Sequence, residues 1–77
     1  MRHQVEVYTN HATYGPVVEK RIALVADLNS MRYAGGAAVK GTGDYAHSYY
    51  GSADNATKFM HDVDRLGFEC AAREVPA

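Results

Sequence analysis

Tryptophan is absent, cysteine occurs once and proline only twice in this chain of 77 residues. The lone Cys70 rules out an intrachain disulfide, and nothing else points to an oxidising compartment. No surplus of one charge exists: the formal net charge is −1, whereas a general nucleic-acid binder carries a cation excess. Composition therefore predicts no direct contact with nucleic acid. Long apolar runs are missing too. Met1-Arg2-His3-Gln4 leads into polar alternation, not into the apolar stretch of about 7–15 residues of a signal peptide. Nothing approaches the roughly 20 apolar residues that span a bilayer. The expectation is a cytoplasmic protein without a membrane partner.

Reactive signatures are equally scarce. His3, His11, His47 and His61 stand far apart, without a Cys or His at ligand spacing, so neither a metal nor another cofactor is expected. Gly41-Thr42-Gly43 lacks the spacing of a phosphate-binding loop and the Lys-Ser/Thr that would follow it. His47 and Ser48 are neighbours on a candidate strand, where successive side chains point to opposite faces, so they form no dyad. No catalytic residue is assigned, and the chain reads as non-enzymatic because so small a domain has little concave volume for a substrate.

What is present fits one compact domain over residues 1–77, with 47% hydrophobic and 22% charged residues, near the globular norm. Gln4 to Thr9 alternates with period two, a half-buried strand with Val5, Val7 and Thr9 on one side. Asn10 to Pro16 is loop chemistry. Residues 17–28 admit two readings. Four β-branched residues (Val17, Val18, Ile22, Val25) favour a strand with Ile22, Leu24 and Ala26 on one side. Pro16 at a first helical position, with Val17, Leu24, Leu28 and Met31 as a stripe and Gly35-Gly36 as the stop, favours a helix. The strand is preferred. Met31 to Val39 reads as an irregular strand with a bulge or close approach at Gly35 and Gly36, and Tyr45 to Tyr50 as a short strand or structured loop. A helix follows, capped by Ser52, lined by Phe59, Met60, Val63 and Leu66, and closed by Gly67 with Phe68 folding back on Val63. The last strand turns Phe68, Cys70 and Ala72 inward. The fold class is α+β: an antiparallel sheet of three to five strands with one α-helix on one face, in the order βββ(β)αβ. The alternative is a ferredoxin-like βαββαβ order with residues 16–33 helical.

The most informative stretch is Gly41 to Gly51, which places three of the six tyrosines between glycines. Tyrosine offers a stiff contact area with a polar tip, so Tyr45, His47, Tyr49 and Tyr50 are candidate partner contacts. Charge divides unevenly: residues 1–40 carry +2 and the remainder −3, making Asp44, Asp54, Asp62 and Asp64 candidates for a basic partner. Gly43 to Tyr50 also has a loose likeness to the aromatic strand of RNA-recognition motifs, with Gly43 and Asp44 standing where a basic residue and glycine are expected. That keeps an RNA or single-stranded DNA module as an alternative, beside an antitoxin-like regulatory partner.

Taken in order, the Tyr14-Gly15 turn, Ala26-Asp27, Ala34-Gly35-Gly36, Gly41-Thr42-Gly43-Asp44-Tyr45 and Gly67-Phe68 resemble small orphan proteins of phages and mobile elements, some of them anti-CRISPR inhibitors. The resemblance implies a stoichiometric inhibitor that occludes a nucleic-acid-binding surface of a host protein or ribonucleoprotein complex in the host cytosol. An uncovered strand edge also makes a homodimer possible.

Overall fold

In a computed structural model of the protein, residues 2–10, 16–39 and 44–75 are described. The chain runs β1 (Arg2–Asn10), α1 (Pro16–Leu28), β2 (Arg32–Ala38), β3 (Asp44–Gly51), α2 (Ala53–Arg65) and β4 (Glu69–Val75). The strands form one antiparallel sheet in the order β2-β3-β1-β4. The α+β class with an antiparallel sheet is as expected, and the order is the alternative, ferredoxin-like βαββαβ. Residues 17–28, preferred as a strand, are helical, so two helices cover the sheet instead of one.

The physical reason lies in what α1 buries. Ile22 and Ala26 enter the core, and Val18 and Val25 pack against it, a spacing of three and four that only a helix brings to one side. β-Branched residues cost a helix no more than about 0.7 kcal/mol each, whereas burying one side chain such as Ile22 returns about 1.5–3 kcal/mol. Of the stripe expected to face the core, Met31 does enter it, but Val17, Leu24 and Leu28 are 60–75% exposed. α1 carries two apolar stripes, and the sheet takes the other. Its stop was also misplaced, because the helix ends well before Gly35-Gly36. Ser30 adopts a left-handed φ of 55°, and the amides of Ser30 and Met31 donate to the carbonyls of Asp27 and Ala26.

α2 ends with the same geometry, the amides of Gly67 and Phe68 donating to Asp64 and Val63, here with glycine in the left-handed position as the sequence predicts. Its start is also as expected, with the Ser52 side chain accepting from the Asn55 amide. Phe59, Val63 and Ala56 meet Val5 and Val7 in the core. α2 lies over β1 and β4, while α1 touches β2 and α2. Asn29, just beyond α1, donates to the Asp62 carboxylate at 2.9 Å and ties the helices together.

The edge strands are thinly covered. β2 is exposed along nearly its whole length, and its register with β3 slips between Tyr33 and Gly36. Gly35 supplies the slip with a φ of 107°. On β4, Cys70 is half-buried, but Ala72, expected inward, is exposed, as suits an edge strand with a neighbour on one side only. The Gly41–Gly43 turn and most of the Asn10–Pro16 loop lie outside the described residues. No helix among the described residues is long and apolar enough to cross a membrane.

Candidate functional site

The alternation of β3 sends Tyr45, His47 and Tyr49 to the helix-covered face, opposite Thr9, Val7 and Val5 of β1. Tyr33, from β2, pairs with Tyr49 on the same side. The rings form a continuous chain from solvent to core. Tyr45 stacks on His47 at 6.3 Å, His47 meets Tyr33 at 6.1 Å, Tyr33 meets Tyr49 at 5.2 Å, and Tyr49 meets Phe59 at 4.9 Å. Tyr33 is 54% and Tyr45 39% exposed, whereas His47 and Tyr49 are 7% and 5% exposed.

Where α1 stands away from this chain of rings, a cleft of about 140 Å³ opens. One wall is α1, presenting Glu19, Ile22, Ala23, Ala26 and Asp27 at helical spacing; the other is Met31, Tyr33, His47 and Tyr49. The short side chains of Ala23 and Ala26 leave the space, and two carboxylates border an otherwise aromatic and aliphatic surface. Gly36 lets β2 approach His47 closely: a Cβ there would stand 2.9 Å from Nδ1. Close approach and bulge, expected jointly at Gly35 and Gly36, are thus divided between the two.

His47 is the polar centre of the cleft. The Thr9 hydroxyl lies 3.3 Å from Nε2 and the Tyr33 hydroxyl 3.3 Å from Nδ1. In a neutral imidazole one nitrogen donates and the other accepts, and a hydroxyl answers either role. Burial pushes the His47 pKa below its ordinary value, and the Glu19 carboxylate opposes this in part. The folded state therefore prefers the neutral ring more than the unfolded chain does. The unfolded chain binds more protons between the two pKa values, so stability is complete above about pH 6.5 and is lost as pH falls toward the folded value. Melting followed by circular dichroism from pH 7.5 to 5.5 is expected to show this decline, with a shallower one in His47→Gln.

Of the eight residues singled out in the sequence, those whose side chains are described do not form one surface. Tyr45, His47 and Tyr49 share a face, but His47 and Tyr49 are interior, so of these three candidate contacts only Tyr45 offers a partner much surface. Tyr50 lies on the opposite face, with the Arg2 guanidinium 5.1 Å from its ring centroid. Asp44 opens β3, paired with Asn10. Asp54 and Asp64 are exposed on α2, and Asp62 is engaged by Asn29. Glu19, Asp27 and Tyr33 were not anticipated; the 19/22/23/26/27 spacing would have found the α1 wall only once this segment was read as a helix. The likeness to an RNA-recognition strand fails in phase, because Tyr45 and His47 point toward the helices, whereas the stacking aromatics of such modules stand on the sheet.

Reactive groups are subdued. Burial, with the Asp64 carboxylate nearby, pushes the Cys70 thiol pKa above its ordinary value, which keeps it protonated and weakly nucleophilic. Among the described residues no group of three or more His, Cys, Asp or Glu is placed to hold a metal ion.

The element order, the sheet order and the two helices on one face define a ferredoxin-like α+β domain. Among solved structures the chain is similar to the regulatory subunit of aspartate kinase from Thermus thermophilus in its ligand-free form, with a TM-score of 0.62 and 12% sequence identity. The match covers 94% of this chain and 50% of that one, so the chain spans about half the length of that structure, and at this identity the likeness is one of fold. No family model matches the chain, and no curated protein matches it in sequence.

Proposed function

We propose that the protein is a non-enzymatic binding module that takes a small ligand in the cleft between α1 and the β2–β3 edge. The observation that carries this reading is the cleft itself, an opening of about 140 Å³ with the imidazole of His47 as its polar centre. Its size is close to that of an engineered cavity of about 150 Å³ known to accept benzene. Glu19 and Asp27 at the rim, with Tyr33 and Tyr49 on the wall, favour a positive charge on the ligand through ion pairing and cation–π attraction. The class is a small apolar amine. The fold, shared with a regulatory subunit, is compatible with such a role.

Benzylamine is a suitable probe, and benzoate, of matching shape and opposite charge, is its control. A Kd of about 1 mM requires only about 0.5 kcal/mol for each heavy atom of benzylamine, well inside the usual ceiling. Calorimetric titration is expected to show saturable binding of benzylamine and none of benzoate. Ala23→Leu, which fills the cleft from an exposed helix position, should abolish the binding and leave the melting temperature in place. Equal uptake of both compounds, or binding undiminished in Ala23→Leu, would contradict the proposal. Occlusion of a host ribonucleoprotein rests on the phage-protein resemblance alone, since Asp54 and Asp64 are interleaved along α2 with Lys58, His61 and Arg65 rather than gathered into an acidic surface.

A further inference from the structure

The sheet face away from the helices carries a second arrangement, which the overall charge conceals. Paired residues share a face and alternate along each strand, so the register places Arg32, Tyr50, Gln4 and Arg73 in one row across all four strands. Arg2 stands two residues from Gln4 on the same face. Three arginines thus share one end of an open sheet face with Tyr50, while the acids that the register places on this face, Glu6, Glu69 and, through its pairing with Asn10, Asp44, lie toward the other end. Glu74, next to Arg73 in sequence, belongs to the opposite face through its pairing with His3.

The row is organised rather than incidental. Gln4 is only 6% exposed although no helix covers it. Its amide donates to the Ser48 hydroxyl at 3.1 Å and accepts from Arg73 Nε at 2.8 Å, which holds the Arg73 guanidinium in place against Gln4. Arg2 lies 5.1 Å from the Tyr50 centroid, forming a short stack of ring and guanidinium. Among the described residues none of these arginines is held in an ion pair with a carboxylate.

We infer that this face binds single-stranded nucleic acid, with Arg2, Arg32 and Arg73 meeting successive phosphates and the Arg2–Tyr50 stack taking a base. Phosphate neutralisation by arginine and stacking on aromatic or guanidinium planes are the two requirements of such binding, and neither needs a sequence-specific contact. A duplex fits poorly, because its bases are already stacked and unavailable to Tyr50. The site is independent of the cleft, which opens on the other side of the sheet.

The experiment is fluorescence anisotropy with labelled 15-mers of oligo-U and oligo-dT and a DNA duplex of equal length, at 30–200 mM salt. Both single strands are expected to bind more tightly than the duplex, with log K falling against log salt at a slope of about −2, about −0.7 for each of three phosphates. Each Arg→Gln change should reduce the slope by about 0.7, and the triple variant, altered only at exposed positions, should lose most of the binding with an unchanged circular dichroism spectrum. Tyr50→Ala should weaken binding about 5- to 150-fold, with Tyr50→Phe close to wild type. A preference for oligo-U over oligo-dT would identify RNA as the natural strand, and the reverse DNA. Absence of binding at the lowest salt, duplex bound as well as single strands, or an affinity untouched by the triple substitution would overturn the inference.

Discussion

Phe59→Ala is expected to lower stability by about 3–5 kcal/mol. Phe59 is fully buried and does two things at once. It anchors α2 on β1, where it meets Val5 and Val7, and it ends the aromatic chain by packing on Tyr49 at 4.9 Å. Truncation leaves a cavity beneath both, and neighbours fixed on three elements cannot close it. A domain of this length holds about 4–12 kcal/mol in total, so the loss takes a large share. At about 4–8 °C per kcal/mol the melting temperature should fall by about 12–40 °C. Urea denaturation should show a lower midpoint with the same slope, because the surface exposed on unfolding hardly changes. A loss below about 1 kcal/mol would mean that Phe59 is not at the centre of the core.

The second large effect is a contrast on α1. Ile22→Ala should cost about 2–5 kcal/mol, since Ile22 is 1% exposed and packs in the core. Leu24→Ala, two residues on and 60% exposed, should change stability by no more than about 0.5 kcal/mol. The pair separates the two conformations this segment admits. In a strand, Ile22 and Leu24 would point the same way and their losses would be alike; in a helix they are about 200° apart. Equilibrium unfolding of the two variants measures the difference directly.

That contrast also shows why part of the fold was hidden in the sequence. α2 was legible at both ends, with Ser52 before it and Gly67 after, and its stripe correctly holds Phe59, Met60 and Val63, although Leu66, expected on it, is the exposed C-cap residue. β1 was legible from strict alternation. α1 offered neither signal. It has apolar residues on two sides, so no stripe identifies the core, and it ends on Ser30, a residue that rarely takes the left-handed conformation. Its β-branched content then tipped the local balance toward extension, and only burial against the sheet, a tertiary effect, restores the helix.

The site was half legible for a related reason. Alternation along β3 correctly groups Tyr45, His47 and Tyr49, but period alone does not say which face the helices cover. The small Ala46 and Ser48 lie on the open side, and a bulky aromatic set opposite small residues is the pattern of a buried face. With α1 read as a strand, Glu19 and Asp27 had no route to those rings, so the cleft could not be foreseen. The arginine row was concealed differently: Arg2, Arg32 and Arg73 are far apart in sequence and converge only through the register of all four strands.

The central claim, that the aromatic cleft is a ligand site, is tested most directly by following methyl and imidazole NMR resonances during addition of benzylamine. The account predicts saturable shifts at Ala23, Ala26, Met31 and His47, with Val17 and Leu66, exposed elsewhere on the helices, unmoved. Shifts confined to other parts of the surface, or none in the cleft at millimolar benzylamine, would contradict it.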